Sequence, residues 1–263
     1  MRRGSAPGAP LSGWCVVVTR ARHQSFELVS RLGEKGARPL ELALIEIVEP
    51  ADGAAALAQA LRRIDEFEWV VLSSANAVER CWRELAALAK VATRPKVAAV
   101  GAGTAAALAE RGVPVDLVPQ RQLAEALVEV FPHPEGPARA VLLPQAAGAR
   151  DVLGRGLCEK GWRVEAVEAY RTVPAVPDRE ALASLHEADV ITFASSSAVT
   201  SFVELVGRDN TPPAVACIGP VTAATAVASG LVVDVVAAEH SVSGLVEALV
   251  AWAQGRVPKA GRR

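Results

Sequence analysis

At 263 residues, 51% of them hydrophobic and 22% charged, the chain has a globular balance and room for two domains. Its formal net charge of −1 lacks the basic excess of a general nucleic-acid or anionic-membrane binder, so neither partner is expected. A polyanionic small ligand stays open, because backbone amides supply positive potential without cationic side chains.

The N-terminal Arg2-Arg3 is followed by Gly4-Ser5-Ala6-Pro7 rather than an apolar stretch, which argues against a secretory signal. Residues 1–11 and 253–263 read as flexible tails. The first strand candidate is Val16-Thr19, followed by a helical pattern over Phe26-Lys35. Next come a strand at Trp69-Ser73, a helix over Ala77-Lys90, a strand at Lys96-Val100, a helix over Thr104-Arg111 and a strand at Val115-Pro119. A loop rich in proline and glycine, Pro132 to Pro137, precedes strand candidates Ala140-Pro144, Val190-Ala194 and Ala214-Ile218. A helix over Thr222-Ser229 and a strand at Val232-Ala237 complete the pattern. Near-continuous apolar strands separated by alanine-rich helices mean parallel sheets covered on both faces, an α/β fold. No apolar run approaches membrane-spanning length.

The chain is doubled. Ala98 to Pro119, shifted by 118 positions, falls on Ala216 to Ala237 without a gap, matching Gly101 with Gly219, Thr104 with Thr222, Gly112 with Gly230 and Asp116 with Asp234. Leu72-Ser73-Ser74-Ala75-Asn76-Ala77-Val78 parallels Phe193-Ala194-Ser195-Ser196-Ser197-Ala198-Val199, and Leu32-Gly33-Glu34-Lys35-Gly36 parallels Leu157-Cys158-Glu159-Lys160-Gly161. Periodicity leaves two arrangements open. One is a simple tandem divided near Pro132 to Pro137; in the other, the N-terminal unit completes the sheet of the C-terminal half and Leu42-Glu49 and Glu165-Val173 cross between lobes.

In open parallel sheets, ligands bind beyond the carboxyl ends of the strands, at helix N-termini. Four such junctions carry glycine or small polar residues: Ser73-Ser74-Ala75-Asn76, Gly101-Ala102-Gly103-Thr104, Ser195-Ser196-Ser197 and Gly219-Pro220-Val221-Thr222. Each offers unpaired backbone donors and the positive end of a helix dipole. Ordinary N-capping is the competing reading for any one of them; four in two matched pairs favour a shared ligand face, in a cleft between the lobes. Gly101-Ala102-Gly103-Thr104-Ala105-Ala106 also spells a dinucleotide fingerprint. Its copy has Pro220 and Val221 where the second glycine region belongs, and no acidic residue follows at the ribose-gripping distance. A nicotinamide oxidoreductase is therefore a rival reading, beside a non-catalytic two-lobed binding protein.

Tyr170, the only tyrosine, lies in a candidate crossing segment and is a candidate proton donor, or else a strand residue packing by area. Arg20, straight after the first strand, and Arg150, at the start of the equivalent later helix, are candidate carboxylate clamps or solvated surface arginines. The four histidines and four cysteines have no metal-ligand spacing, so no metal is expected. Cys15 and Cys217 read as buried thiols, and the absence of a disulfide framework fits a reducing cytoplasm.

Together these segments resemble the uroporphyrinogen-III synthase family, from Val16 to Leu249. The resemblance is carried by Val17-Val18-Thr19-Arg20, Leu44-Ile45-Glu46-Ile47, Leu72 to Val78, Ala99 to Thr104, Gly148-Ala149-Arg150-Asp151-Val152-Leu153, Val167-Glu168-Ala169-Tyr170-Arg171, Phe193 to Val199, Ile218 to Thr222 and Ser243-Gly244-Leu245. It implies two similar parallel-sheet, flavodoxin-like lobes in the interleaved arrangement. Residues 12–41 plus 174–252 would form one lobe and 50–164 the other, with 42–49 and 165–173 as a two-stranded connector.

The resemblance also implies a linear hydroxymethylbilane substrate with eight carboxylates and no cofactor. The reaction begins with loss of the terminal hydroxyl as water, leaving an azafulvene; attack through a spiro-pyrrolenine then inverts the last pyrrole before closure. Tyr170 would assist departure of the hydroxyl. Ser73, Ser74, Asn76, Gly101, Thr104, Ser195, Ser196, Ser197, Gly219 and Thr222 would hold carboxylates, with Arg20 and Arg150 as further candidates. A monomer is expected, and a transient contact with the upstream hydroxymethylbilane synthase is left open. Gln145 stands where the family often carries an arginine.

Overall fold

The computed structural model describes residues 8–88, 94–136 and 139–259. The described residues fall into two compact units, one drawn from residues 8–46 and 173–259 and the other from within residues 47–172. The first unit opens with β1 (Cys15–Val18), α1 (Arg22–Glu34) and β2 (Arg38–Glu41), and β3 (Ile45–Val48) leads into the second. There follow α2 (Ala55–Arg62), β4 (Trp69–Leu72), α3 (Ala75–Leu88), β5 (Lys96–Ala99), α4 (Ala102–Ala109), α5 (Ala124–Val130), β6 (Ala140–Ala146) and α6 (Val152–Glu159). The long strand β7 (Arg163–Pro174) returns the chain to the first unit. That unit is completed by α7 (Arg179–Ser184), β8 (Val190–Phe193), α8 (Ser196–Leu205), β9 (Ala214–Cys217), α9 (Pro220–Ala228), β10 (Val235–Val236) and α10 (Val242–Ala253).

The two sheets share one plan. Their strand orders are β10-β9-β8-β1-β2 and β5-β4-β6-β7-β3. β8 and β4, β9 and β5, β1 and β6, and β2 and β7 hold matching places, and the pairs β1–β2, β1–β8, β8–β9, β9–β10, β4–β5, β4–β6 and β6–β7 are parallel. In the first unit the order is that of a flavodoxin-like doubly wound sheet, whose winding reverses between β1 and β8; the second has the same spatial arrangement about β6 and β4, with β6 and β7 following β4 and β5 in the chain. β4 shows why the sheets read as continuous apolar runs: Val70 and Leu72 pack into one hydrophobic cluster, Trp69 and Val71 into another.

The duplication extends to individual hydrogen bonds. Gly36 and Gly161 both turn the chain out of a helix at positive φ, +87° and +96°, where a side chain would be strained. The next amide after each returns to the last helical turn, Ala37 to Leu32 and Trp162 to Leu157. Ser74 and Ser195 both cap a helix, each Oγ accepting an N–H at 3.2 Å, from Ala77 and Ala198.

Three expectations need correction. Val115-Pro119 is not a strand but a single bridge at Leu117, and the run Val232-Ala237 reduces to the two residues of β10. The reason is repeated: Asp116 Oδ2 accepts the Val97 N–H at 2.7 Å, and Asp234 Oδ2 accepts the Val215 N–H at 2.9 Å. A carboxylate thus takes a donor that a backbone ladder would otherwise use. The described parts of the tails are fastened. Leu11 is 1% exposed and its N–H donates to Lys35 O, while Ala253 is buried at the end of α10 and the Lys259 N–H donates to Asp189 Oδ1. Residues 1–7, 260–263, Lys90 of the helix expected over Ala77-Lys90, and Pro137 lie outside the described residues. Cys15 and Cys217 are buried; burial pushes both thiols up, that of Cys217 to about 11.

Candidate functional site

Because β1, β2, β8, β9 and β10 in one sheet, and β4, β5, β6 and β7 in the other, run parallel, their carboxyl ends lie together within each sheet, and the four sequence-flagged junctions all fall there. In the second unit the centre of this end is a contact between Tyr170 and Ser74. Tyr170 sits on β7 and Ser74 follows β4, with β6 between the two strands. Their oxygens are 3.0 Å apart. A register shift brings them together: Gln145 pairs with Glu168 but Ala146 pairs with Tyr170, so β7 carries one extra residue at Ala169. The bulge breaks alternation, leaving Ala169 and Tyr170 consecutively buried at 0% and 7% exposure. The Ala147 N–H closes the distortion by donating to Tyr170 O at 2.8 Å.

Ser74 Oγ therefore serves two elements. It accepts the Ala77 N–H as the cap of α3, and its single proton either stays with it or points to the phenol. When Ser74 donates, the phenolic proton of Tyr170 is free for a ligand. Ser73 beside it is exposed, and Asn76, second residue of α3, is half-buried.

The G-x-x-T junctions place Thr104 and Thr222 third in α4 and α9, each 6% exposed. Neither hydroxyl has a hydrogen-bond partner among the described residues. Gly101 and Gly219 precede these helices in extended conformation, so they are chosen for space and not for φ. Over Gly101 lies Gln122, whose Oε1 accepts the Ala102 N–H at 3.0 Å. This internal cap occupies the place a pyrophosphate would need in a dinucleotide fold. Sequence reasoning missed Gln122: extending the 118-residue shift past Pro119 pairs it with His240, but neither residue carries a motif.

In the first unit, Ser195 caps α8, Ser196 Oγ accepts from Thr225 Oγ1 at 2.7 Å, linking α8 to α9, and Ser197 is exposed. Beside the β1–β8 switch point, Thr19 Oγ1 donates to Thr192 O and Thr192 Oγ1 donates to Val17 O, both at 2.7 Å. This buried reciprocal pair fixes the ends of the two strands. The next residue, Arg20, is half-buried and forms no ion pair among the described residues; burial lowers the pKa of its guanidinium, which Glu27 offsets in part. Arg150 differs, pairing with Glu125 at 3.4 Å on an exposed surface.

Comparison with known proteins gives the family. A family model described as uroporphyrinogen-III synthase HemD matches residues 27–247. The chain belongs to the uroporphyrinogen-III synthase family. It is accordingly a cyclising lyase of porphyrin biosynthesis. A uroporphyrinogen-III synthase of Synechococcus elongatus is 34% identical over 259 residues, covering 93% of this chain and 97% of that protein. The chloroplastic uroporphyrinogen-III synthase of Oryza sativa is 31% identical over 229 residues, covering 82% and 73%. A crystal structure of a mutant uroporphyrinogen III synthase from Thermus thermophilus superposes with a TM-score of 0.61 at 19% identity, over 92% of this chain and 99% of that one. The Helicobacter pylori uroporphyrinogen-III synthetase gives 0.55 at 16% identity, over 90% and 98%. At these identities the two structures speak for the fold, and they bear out the two-unit parallel α/β architecture. The nicotinamide and binding-protein readings are not favoured.

Proposed function

We propose that the chain closes hydroxymethylbilane to uroporphyrinogen III with loss of one water, and that Tyr170 hands a proton to the departing hydroxyl. The observation that carries this role is the 3.0 Å contact to Ser74. With Ser74 donating, the phenol keeps its proton for the substrate, and the same hydrogen bond steadies the phenolate left behind. The proton released when the rearranged pyrrole regains aromaticity on closure restores the phenol. Little more acid–base chemistry is required, because the substrate ionises readily; the protein's main task is to hold the chain so that closure through the inverted ring wins.

Holding falls to the helix starts. The free hydroxyls of Thr104 and Thr222, the residues Ser73, Ser74, Asn76, Ser195, Ser196 and Ser197, and the first-turn amides of α4 and α9 beyond Ala102 and Pro220 suit carboxylates, which gain from the dipole at a helix N-terminus. Arg20 supplies one full positive charge; a substrate carboxylate would offset the desolvation of its guanidinium. Arg150 serves only by leaving Glu125.

The test is consumption of freshly generated hydroxymethylbilane. Substrate loss must run faster than spontaneous closure and yield the inverted ring isomer. Unaccelerated loss giving only the uninverted isomer would overturn the proposal.

A further inference from the structure

The 118-residue register pairs Gln122 in the second unit with His240 in the first. Both side chains occupy the same place, over the glycine that starts a helix. A Cβ built on Gly101 would lie 3.0 Å from Gln122 Oε1; one built on Gly219 would lie 2.9 Å from Cδ2, 3.0 Å from Cγ and 3.3 Å from Nε2 of His240. Their tasks differ because the helices start differently. α4 opens with Ala102, whose N–H needs an acceptor and finds Gln122. α9 opens with Pro220, which has no N–H to offer. His240 therefore has no capping duty, and neither ring nitrogen forms a hydrogen bond among the described residues.

A second feature lies two residues into the same helix. Thr222 is 6% exposed, and among the described residues its hydroxyl has no partner and no side chain caps the first turn of α9. An imidazole without a capping duty, an unpartnered hydroxyl and the first-turn amides of α9 meet at this helix start, whereas in the second unit the matching first amide, Ala102, is closed by Gln122.

We infer that His240 is a further substrate-binding residue, its ring N–H donating to a carboxylate of the tetrapyrrole held with Thr222 at the start of α9. The inference rests on the reaction proposed above. A neutral imidazole offers one N–H donor and a charged one two, so the contact exists in either state.

The test uses His240→Phe, which keeps a ring over Gly219 and removes the donor, with His240→Gln as the restoring variant. The expected result for H240F is a KM for hydroxymethylbilane raised about 5-fold or more, kcat within about 2-fold of wild type, the signature of lost ground-state binding, and an unchanged thermal midpoint. H240Q, carrying an amide donor, is expected to recover most of the KM. Should H240F not fold, H240A is read in the same way. Wild-type KM in a folded donor-less variant would overturn the inference. The wild-type enzyme in the same assay reports separately on the reaction, since its failure to form the inverted isomer would count against the proposed function and not against His240.

Discussion

Tyr170 Oη stands 3.0 Å from Ser74 Oγ across the end of β6, on a strand that has taken up an extra residue to bring it there. Proton donation by a placed side chain is typically worth about 10²–10⁴-fold, and a readily ionised substrate needs less than that. Tyr170→Phe is therefore expected to lower kcat by roughly 10- to 100-fold with little change in KM or folding. Ser74→Ala removes the partner and also the α3 cap. Its expected effects are a smaller fall in kcat and a loss of about 0.5–2 kcal/mol in stability. Steady-state kinetics with chemical denaturation of both variants decides the matter; wild-type kcat in Tyr170→Phe would remove the phenol from the mechanism.

Asp116 is the best-anchored carboxylate outside the site. Burial pushes its pKa up, but bonds from the Arg94 guanidinium at 2.7 and 2.9 Å and from the Val97 N–H outweigh this and hold it below the usual carboxylate value. A depressed folded pKa gives stability that is present above the unfolded pKa, about 4, and is lost as the pH falls through the folded value. Asp116→Ala is expected to cost about 1.5–3 kcal/mol at pH 7, with the gap to wild type narrowing as the pH is lowered below about 4. Urea unfolding at pH 7 and pH 3 checks this, and a difference independent of pH would contradict it.

Two glycines are set by neighbours and not by φ. A Cβ on Gly244 would lie 2.2 Å from Glu239 O, a backbone atom that cannot turn away. Gly244→Ala is therefore expected to destabilise by about 1–3 kcal/mol or more. Gly219→Ala meets the His240 ring instead, so its cost is expected to fall when His240→Ala is added. Thermal and denaturant unfolding of the two single variants and the double variant measures that coupling. Additive losses would show that the ring and the glycine do not press on one another.

Much of the fold was readable in advance for a definite reason. Strands buried on both faces, such as Trp69–Leu72 and Ala214–Cys217, leave unbroken apolar runs, and the doubled G-x-x-T segments mark where these strands hand over to helices. The failures also have causes. Arg38–Glu41 is an edge strand with Pro39 and charged ends, so it lacks the apolar signature. The Val115-Pro119 run looks like a strand until the Asp116 carboxylate takes the neighbouring amide. Within the site, Tyr170 was legible as a solitary tyrosine in a family motif, but its aim was not, because one bulge residue decides which way it faces. Gln122 and His240 were hidden for another reason: their importance comes from lying over a glycine, a contact that only the folded chain reveals.

The most direct measurement is the ratio of type III to type I uroporphyrinogen formed from fresh hydroxymethylbilane by the wild-type chain and by a Thr104→Val/Thr222→Val variant. Valine keeps the shape of threonine and removes the hydroxyl that no protein group engages among the described residues. The expected outcome is type III as the dominant wild-type product, with a shift toward type I in the variant as spontaneous closure overtakes a loosely held substrate. Type I alone from a folded wild-type chain would contradict the function itself, and an unchanged ratio in the variant would contradict the role of the two threonines.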